Sequence, residues 1–98
     1  MYKVKFSKAL YRDVEKSDLL EVVEKDLELP FPPYLGLEVH DGRFRSGKIE
    51  SVTWLNDENY FSALTPDKTP LNVGTFDEVG IDFILESLCK REGWKIVE

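Results

Sequence analysis

TFDEVGIDFILESLCKREG, residues 75–93, is the stretch that decides the fold. Thr75, with Glu78 three residues later, forms a capping box in which each side chain can bond a free backbone N–H of the first turn. Two basic residues near the end suit the negative end of the helix dipole, and Gly93 suits the left-handed residue that often follows a helix. The stretch therefore predicts one dominant core helix.

Two apolar strips run along this predicted helix. The first repeats at the helical period and we expect it to face the core; it contains Phe76, Val79, Phe83, Ile84 and Leu88. The second strip lies beside it and consists of Ile81, Leu85 and Cys89. Together the strips are wider than a helix on a sheet needs, so the second strip is a candidate interface.

Both ends of the chain predict strands. Residues 2–6 alternate, with Tyr2, Val4 and Phe6 on one face and two lysines on the other, and the alternation can continue to Leu10. The lysines suit a strand at or near a sheet edge. After the main helix, residues 94–97 predict a short last strand beside the first one.

Another helix is predicted to begin at Ser17 or Asp18 and to run to about Leu29, because Asp18 and Glu21 form a second capping box and apolar residues recur at helical spacing. Its outer face would be strongly acidic. The following Pro30-Phe31-Pro32-Pro33 cannot continue a helix. We interpret it as a stiff connector with Phe31 packed on the core.

The middle of the chain, residues 35–64, predicts a meander of three strands. Asp41-Gly42, Ser46-Gly47 and the polar run 56–59 are the expected turns. Within the run 49–55, Val52 and Trp54 lie on one face and Ile49 and Leu55 on the other. Either a bulge reverses the phase or both faces are covered, and we favour Val52 and Trp54 inside.

The sequence thus predicts an α+β fold: a single compact domain over residues 1–98, with a mainly antiparallel sheet of about five strands and two helices, in the order β-α-β-β-β-α-β. A chain of 98 residues with 42% hydrophobic and 12% aromatic content can bury one core and is not disordered.

Charge and cysteine content restrict the partners and the compartment. The formal net charge of −6 disfavours nucleic acid and anionic membranes as partners. One cysteine gives no internal disulfide, and neither a membrane span nor a signal sequence is recognisable. We therefore expect a cytoplasmic protein.

His40 is the only histidine and the one candidate for acid–base catalysis, with Glu38, Asp41 or Glu50 as its acidic neighbour. A dyad with Cys89 would need the fold to bring the two together. The chain offers no catalytic set and no metal-ligand set, so we predict neither an enzyme nor a metal or other cofactor.

A basic turn interrupts the acidic chain. Arg43, Phe44, Arg45 and Lys48 stand among two glycines, a combination that can hold a phosphate or carboxylate, with the ring available to stack on a base. This turn is a candidate anion site.

The chain has either an aromatic-rich core or aromatic residues left at the surface, where they would mark an interface or a shallow pocket. The residues concerned are Tyr34, Trp54, Tyr60, Phe61 and Trp94. Together with the second helix strip they predict an interface of Ile81, Leu85, Cys89, Tyr60 and Trp54. The leading hypothesis is a non-enzymatic interaction or regulatory protein that binds another protein, for which the net charge favours a basic one, or itself as a homodimer. The alternatives are a small-molecule or anion-binding domain that uses an aromatic pocket and the basic turn, and a small enzyme that uses His40.

Overall fold

The computed structural model describes residues 1–13, 15–16, 18–69 and 78–97, with side chains from residue 80 onward in the last range. The strands along these ranges are β1 (Tyr2–Tyr11), β2 (Leu19–Leu29), β3 (Glu38–Asp41), β4 (Phe44–Lys48), β5 (Ser51–Leu55), β6 (Tyr60–Leu64) and β7 (Lys95–Ile96). The helix α1 (Glu78–Glu86) continues as a π-helical turn over Ser87–Arg91. The class is α+β, but the described chain has one helix where the sequence predicted two.

Five strands form the main sheet, in the order β5-β6-β1-β2-β7, and β3 with β4 forms a second, small sheet. The main sheet is mixed, because β1 and β6 are parallel while its other neighbours are antiparallel. The predicted strand at residues 2–6 is confirmed, but it lies at the centre of the sheet and not near an edge. The last strand pairs with β2 and not with the first strand.

The helix predicted over residues 18–29 is wrong, because this stretch is β2 and pairs with β1 over ten residue pairs. Its apolar residues fit a strand as well as a helix, and the long ladder with β1 decides between them. Asp18, the expected helix cap, instead accepts a 2.8 Å bond from Arg12 Nε.

The core lies on one face of the main sheet, beneath the small sheet and the helix. The Phe44 ring, from the small sheet, packs on Phe6 of β1 at 5.5 Å and on Trp94 at 5.0 Å between ring centres. The buried cluster comprises Val4, Phe6, Val23, Leu29, Phe44, Ile49, Ala63, Leu88 and Trp94.

The helix confirms Ile84 and Leu88 of the predicted core strip, but it adds Leu85 of the second strip and leaves Phe83 outside. Leu88 is buried, and Ile84 and Leu85 pack against the core cluster. Phe83, expected inside, is 62% exposed. The left-handed Gly93 is confirmed by its φ of 82°. The capping box at Thr75, Phe76 and the Val79 side chain lie outside the described part of the chain.

Two hairpins replace the predicted three-strand meander. The Asp41-Gly42 turn is confirmed, since Gly42 has a φ of 62° and joins β3 to β4. A turn at Ser46-Gly47 is wrong, because Ser46 is buried inside β4 and its hydroxyl accepts the Val39 N–H at 2.8 Å. The predicted turn over 56–59 is confirmed between β5 and β6.

Three apolar side chains, two in the middle region and one in the proline connector before it, are not where the sequence placed them. Ile49 is buried between β4 and β5, although the sequence favoured the opposite face of this run. Val52 packs against the core as expected, but Trp54 is 46% exposed. Phe31, expected on the core, is 42% exposed and contacts Tyr34. The fold thus leaves large aromatic side chains at one end of the sheet.

Candidate functional site

Three aromatic rings from three adjacent strands form a continuous cluster, which we call the aromatic surface: Tyr2, Trp54 and Phe61. The ring centres of Trp54 and Phe61 are 4.8 Å apart, and those of Tyr2 and Phe61 are 6.1 Å apart. Phe61 is half-buried, whereas Tyr2 is 43% exposed and Trp54 is 46% exposed. The inner ring therefore supports two outer rings that remain open to solvent.

Strand register explains why these rings meet. Trp54 lies directly opposite Phe61 in the β5–β6 ladder, and Val4 lies opposite Phe61 in the β1–β6 ladder. Tyr2 is two residues before Val4 and so shares its face of the sheet. Cross-strand aromatic neighbours of this kind each contribute about 0.2–1 kcal/mol to a sheet.

A cavity of about 240 Å³ adjoins the aromatic surface and is lined by Met1, Tyr2, Lys3, Trp54 and Asn59. Trp54 Nε1 donates a 3.2 Å bond to Asn56 Oδ1 of the following turn, which holds the indole over the sheet. The aromatic surface is therefore an ordered, partly concave apolar area with polar groups at its rim.

Tyr60, predicted in one interface with Trp54, lies on the opposite face of the sheet because it pairs with Leu55 and neighbours Phe61. There it borders a groove of about 540 Å³, and Lys5 Nζ lies 5.1 Å from its ring centre. A hydrogen bond to the Glu58 carboxylate raises the pKa of Tyr60. The fold therefore separates Tyr60 from Trp54.

The helix residues of the predicted interface are likewise not part of the aromatic surface. Ile81, Leu85 and Cys89 are half-buried, and Leu85 packs against the core. Burial and the nearby Glu21 carboxylate raise the pKa of the Cys89 thiol. This strip therefore lies partly against the core, whereas Phe83 is exposed among the helix residues whose side chains are described, and its ring lies 6.0 Å from the Arg91 guanidinium carbon.

The charged side chains of the basic turn are exposed to solvent, whereas its aromatic side chain is buried. Arg43, Arg45 and Lys48 are exposed, whereas Phe44 is 2% exposed and belongs to the core. Its ring is therefore not available to stack on a base. Arg45 Nη1 donates to the backbone oxygens of Gly42 and Phe44 at 2.6 and 2.8 Å. Anion binding by the three cations stays a prediction.

His40 forms an exposed pair with Glu38 on β3, with 3.1 Å between Nε2 and Oε2. This pair lines neither the cavity beside Trp54 nor the groove beside Tyr60. Asp41 and Glu50, the other acids considered, are exposed as well. The small-enzyme hypothesis stays a prediction, with Glu38 as the acid that the fold brings to the histidine.

Lys8 is a half-buried cation that is not among the candidate residues predicted from the sequence. Its Nζ donates a 2.7 Å bond to the Pro66 carbonyl and lies 5.5 Å from the Trp94 ring centre. Burial lowers its pKa, and the Glu92 carboxylate opposes this effect. The signal was a lysine at an inward position of β1, where a charge needs partners.

The acids of β2 do not form the uninterrupted acidic face expected of a helix. Glu28 and Asp26 lie opposite Lys3 and Lys5 in the β1–β2 ladder. Lys5 Nζ also lies 3.8 Å from Glu24 Oε1. These charges offset one another on the outer face of the sheet, so this face gives no special support to a basic partner.

Among the described residues, no three histidine, cysteine, aspartate or glutamate side chains gather closely enough to hold a metal ion. No helix in the described ranges has the length and apolar content to span a membrane. Comparisons with protein-family models, curated proteins and solved structures found no match.

Proposed function

We propose that this chain is a non-enzymatic interaction domain that binds another protein, or a second copy of itself, through the aromatic surface. The observation that carries the proposal is the exposure of Trp54, which is 46% accessible although its ring is stacked on Phe61 and held by Asn56. An ordered tryptophan at a surface is typical of the anchor of a protein interface.

The shape of the site supports a protein partner more than a small molecule. Ligand pockets usually enclose about 300–1,000 Å³ and bury most of the ligand. The cavity beside Trp54 has about 240 Å³ and lies against rings that are themselves open to solvent. A flat protein surface can cover such rings, whereas a small ligand would leave them exposed.

Negative charge near the aromatic surface favours a basic protein as the partner, if the partner is a different protein. Asp57 and Glu58 are exposed in the turn that follows Trp54, and the chain has a formal net charge of −6. A basic protein would therefore approach this end faster than an acidic one, and its binding would weaken with added salt.

The test compares the wild type with Trp54→Ser and with Phe83→Ser as a matched control, since Phe83 is an exposed aromatic residue on the helix. Each variant is immobilised and exposed to lysate of the native host, and its self-association is measured by sedimentation velocity. We expect one bound protein, or the second copy, to be retained by the wild type and Phe83→Ser and lost with Trp54→Ser. Equal retention by all three would refute the role of the aromatic surface.

A further inference from the structure

The strand β5 is an edge of the main sheet, and no strand of the described chain pairs with its outer side. Edge strands are normally protected by charged residues, proline, bulges or very short length. β5 has the sequence SVTWL, without charge or proline, and is rich in residues that favour strands. The opposite edge, β7, has two residues and includes a lysine. β5 is thus the less protected of the two edges.

The register of β5 identifies its outward backbone groups. The Leu55 carbonyl accepts the Asn59 N–H at 2.8 Å in the turn toward β6, so Leu55 directs its backbone groups to the β6 side. In an antiparallel ladder this direction alternates along the strand. Thr53 therefore also faces β6, while Val52 and Trp54 direct their N–H and C=O groups away from the sheet.

We propose that the β5 strands of two copies pair antiparallel about a two-fold axis at Thr53, so that the main sheet continues from one copy into the other. This inference rests on the proposed function and names the second copy as the partner. Val52 of each copy lies opposite Trp54 of the other, and each such pair exchanges two backbone hydrogen bonds. All outward groups of these residues are then satisfied.

The side chains suit this register. Val52 and Trp54 share the face of the aromatic surface, so each exposed indole packs on a valine of the second copy. Thr53 lies opposite itself, and Glu50 lies opposite Asn56, so no two like charges face each other along the strand. The two copies carry equal net charge and repel each other at long range. Added salt should therefore strengthen this association, whereas it would weaken binding to a basic protein.

Thr53 gives a direct test, because its side chain is exposed on the outer face and is separate from the core and the aromatic surface. We expect Thr53→Lys and Thr53→Glu each to raise the dimer Kd by about fivefold or more, because like charges then face each other on the axis. An equimolar mixture should restore association as a heterodimer. Thr53→Ser is the matched control and should keep the wild-type Kd.

Sedimentation equilibrium gives these Kd values, and circular dichroism checks that each variant is folded. A wild type that stays monomeric at its highest soluble concentration would overturn the pairing, as would charge variants that retain the wild-type Kd or a mixture that does not recover. If Trp54→Ser abolishes association while the Thr53 variants do not, the β5 pairing is wrong and the aromatic surface remains the binding site.

Discussion

Phe83 and Leu88 lie on the same helical segment but should contribute very differently to stability. Leu88 is 4% exposed within the core, so Leu88→Ala removes buried methyl groups and leaves a cavity. Changes of this kind cost about 2–5 kcal/mol of unfolding free energy. We expect Leu88→Ala to fall in this range.

Phe83→Ala should change the unfolding free energy by less than about 1 kcal/mol. The side chain is 62% exposed, and its ring centre lies 6.0 Å from the guanidinium carbon of Arg91. An exposed cation–π contact is worth about 0.5–1 kcal/mol, and part of that loss is recovered because alanine is the better helix former by up to about 0.7 kcal/mol.

The assay is urea unfolding of the wild type and both alanine variants, followed by circular dichroism. The slopes against urea should agree, so that the midpoints report stability. A loss for Phe83→Ala that equals the loss for Leu88→Ala would mean that Phe83 lies in the core. The orientation of the helix described above would then be wrong.

Three further predictions concern charged and titratable groups. Burial lowers the pKa of Lys8 in the folded protein below its ordinary value of 10.5, so just below pH 10.5 the unfolded chain binds more protons than the folded one. The unfolding free energy of the wild type, relative to that of Lys8→Met, should therefore rise as the pH approaches 10.5. A difference that stays constant or falls with pH in urea unfolding would contradict this. Cys89 has a raised pKa and should react with a thiol reagent more slowly in the native protein than in urea, and equal rates would show an accessible thiol. Arg43→Glu with Arg45→Glu should leave the melting temperature nearly unchanged because both side chains are exposed, and a fall of several degrees would show that the turn is structural.

Local patterns predicted those features that local chemistry determines. Alternation identified β1, the Asp41-Gly42 dipeptide identified a hairpin turn, and Gly93 marked the left-handed residue after the helix. Each depends on the preferences of a few adjacent residues. These preferences hold whatever the rest of the fold does.

The sequence-based predictions are wrong where contacts between distant parts of the chain determine the structure. Residues 19–29 satisfy both periodicities, and only the ladder with β1 makes them a strand. Phe83 and Leu88 lie in one amphipathic segment, and its rotation depends on how the helix packs on the sheet. The predicted interface combined Trp54 with Tyr60, but the two side chains lie on opposite faces of the sheet. The register of β5 against β6 decides which face each side chain takes, and the sequence alone did not determine that register.

The most direct test of binding through the aromatic surface is the indole N–H signal of Trp54 in two-dimensional ¹H–¹⁵N NMR spectra. Trp94 is 1% exposed and serves as an internal reference in the same spectrum. We expect the Trp54 signal to shift when the protein is concentrated, or when the protein retained in the binding test above is added. The Trp94 signal should stay constant. A constant Trp54 signal, with shifts confined to the helix around Phe83, would contradict binding through the aromatic surface.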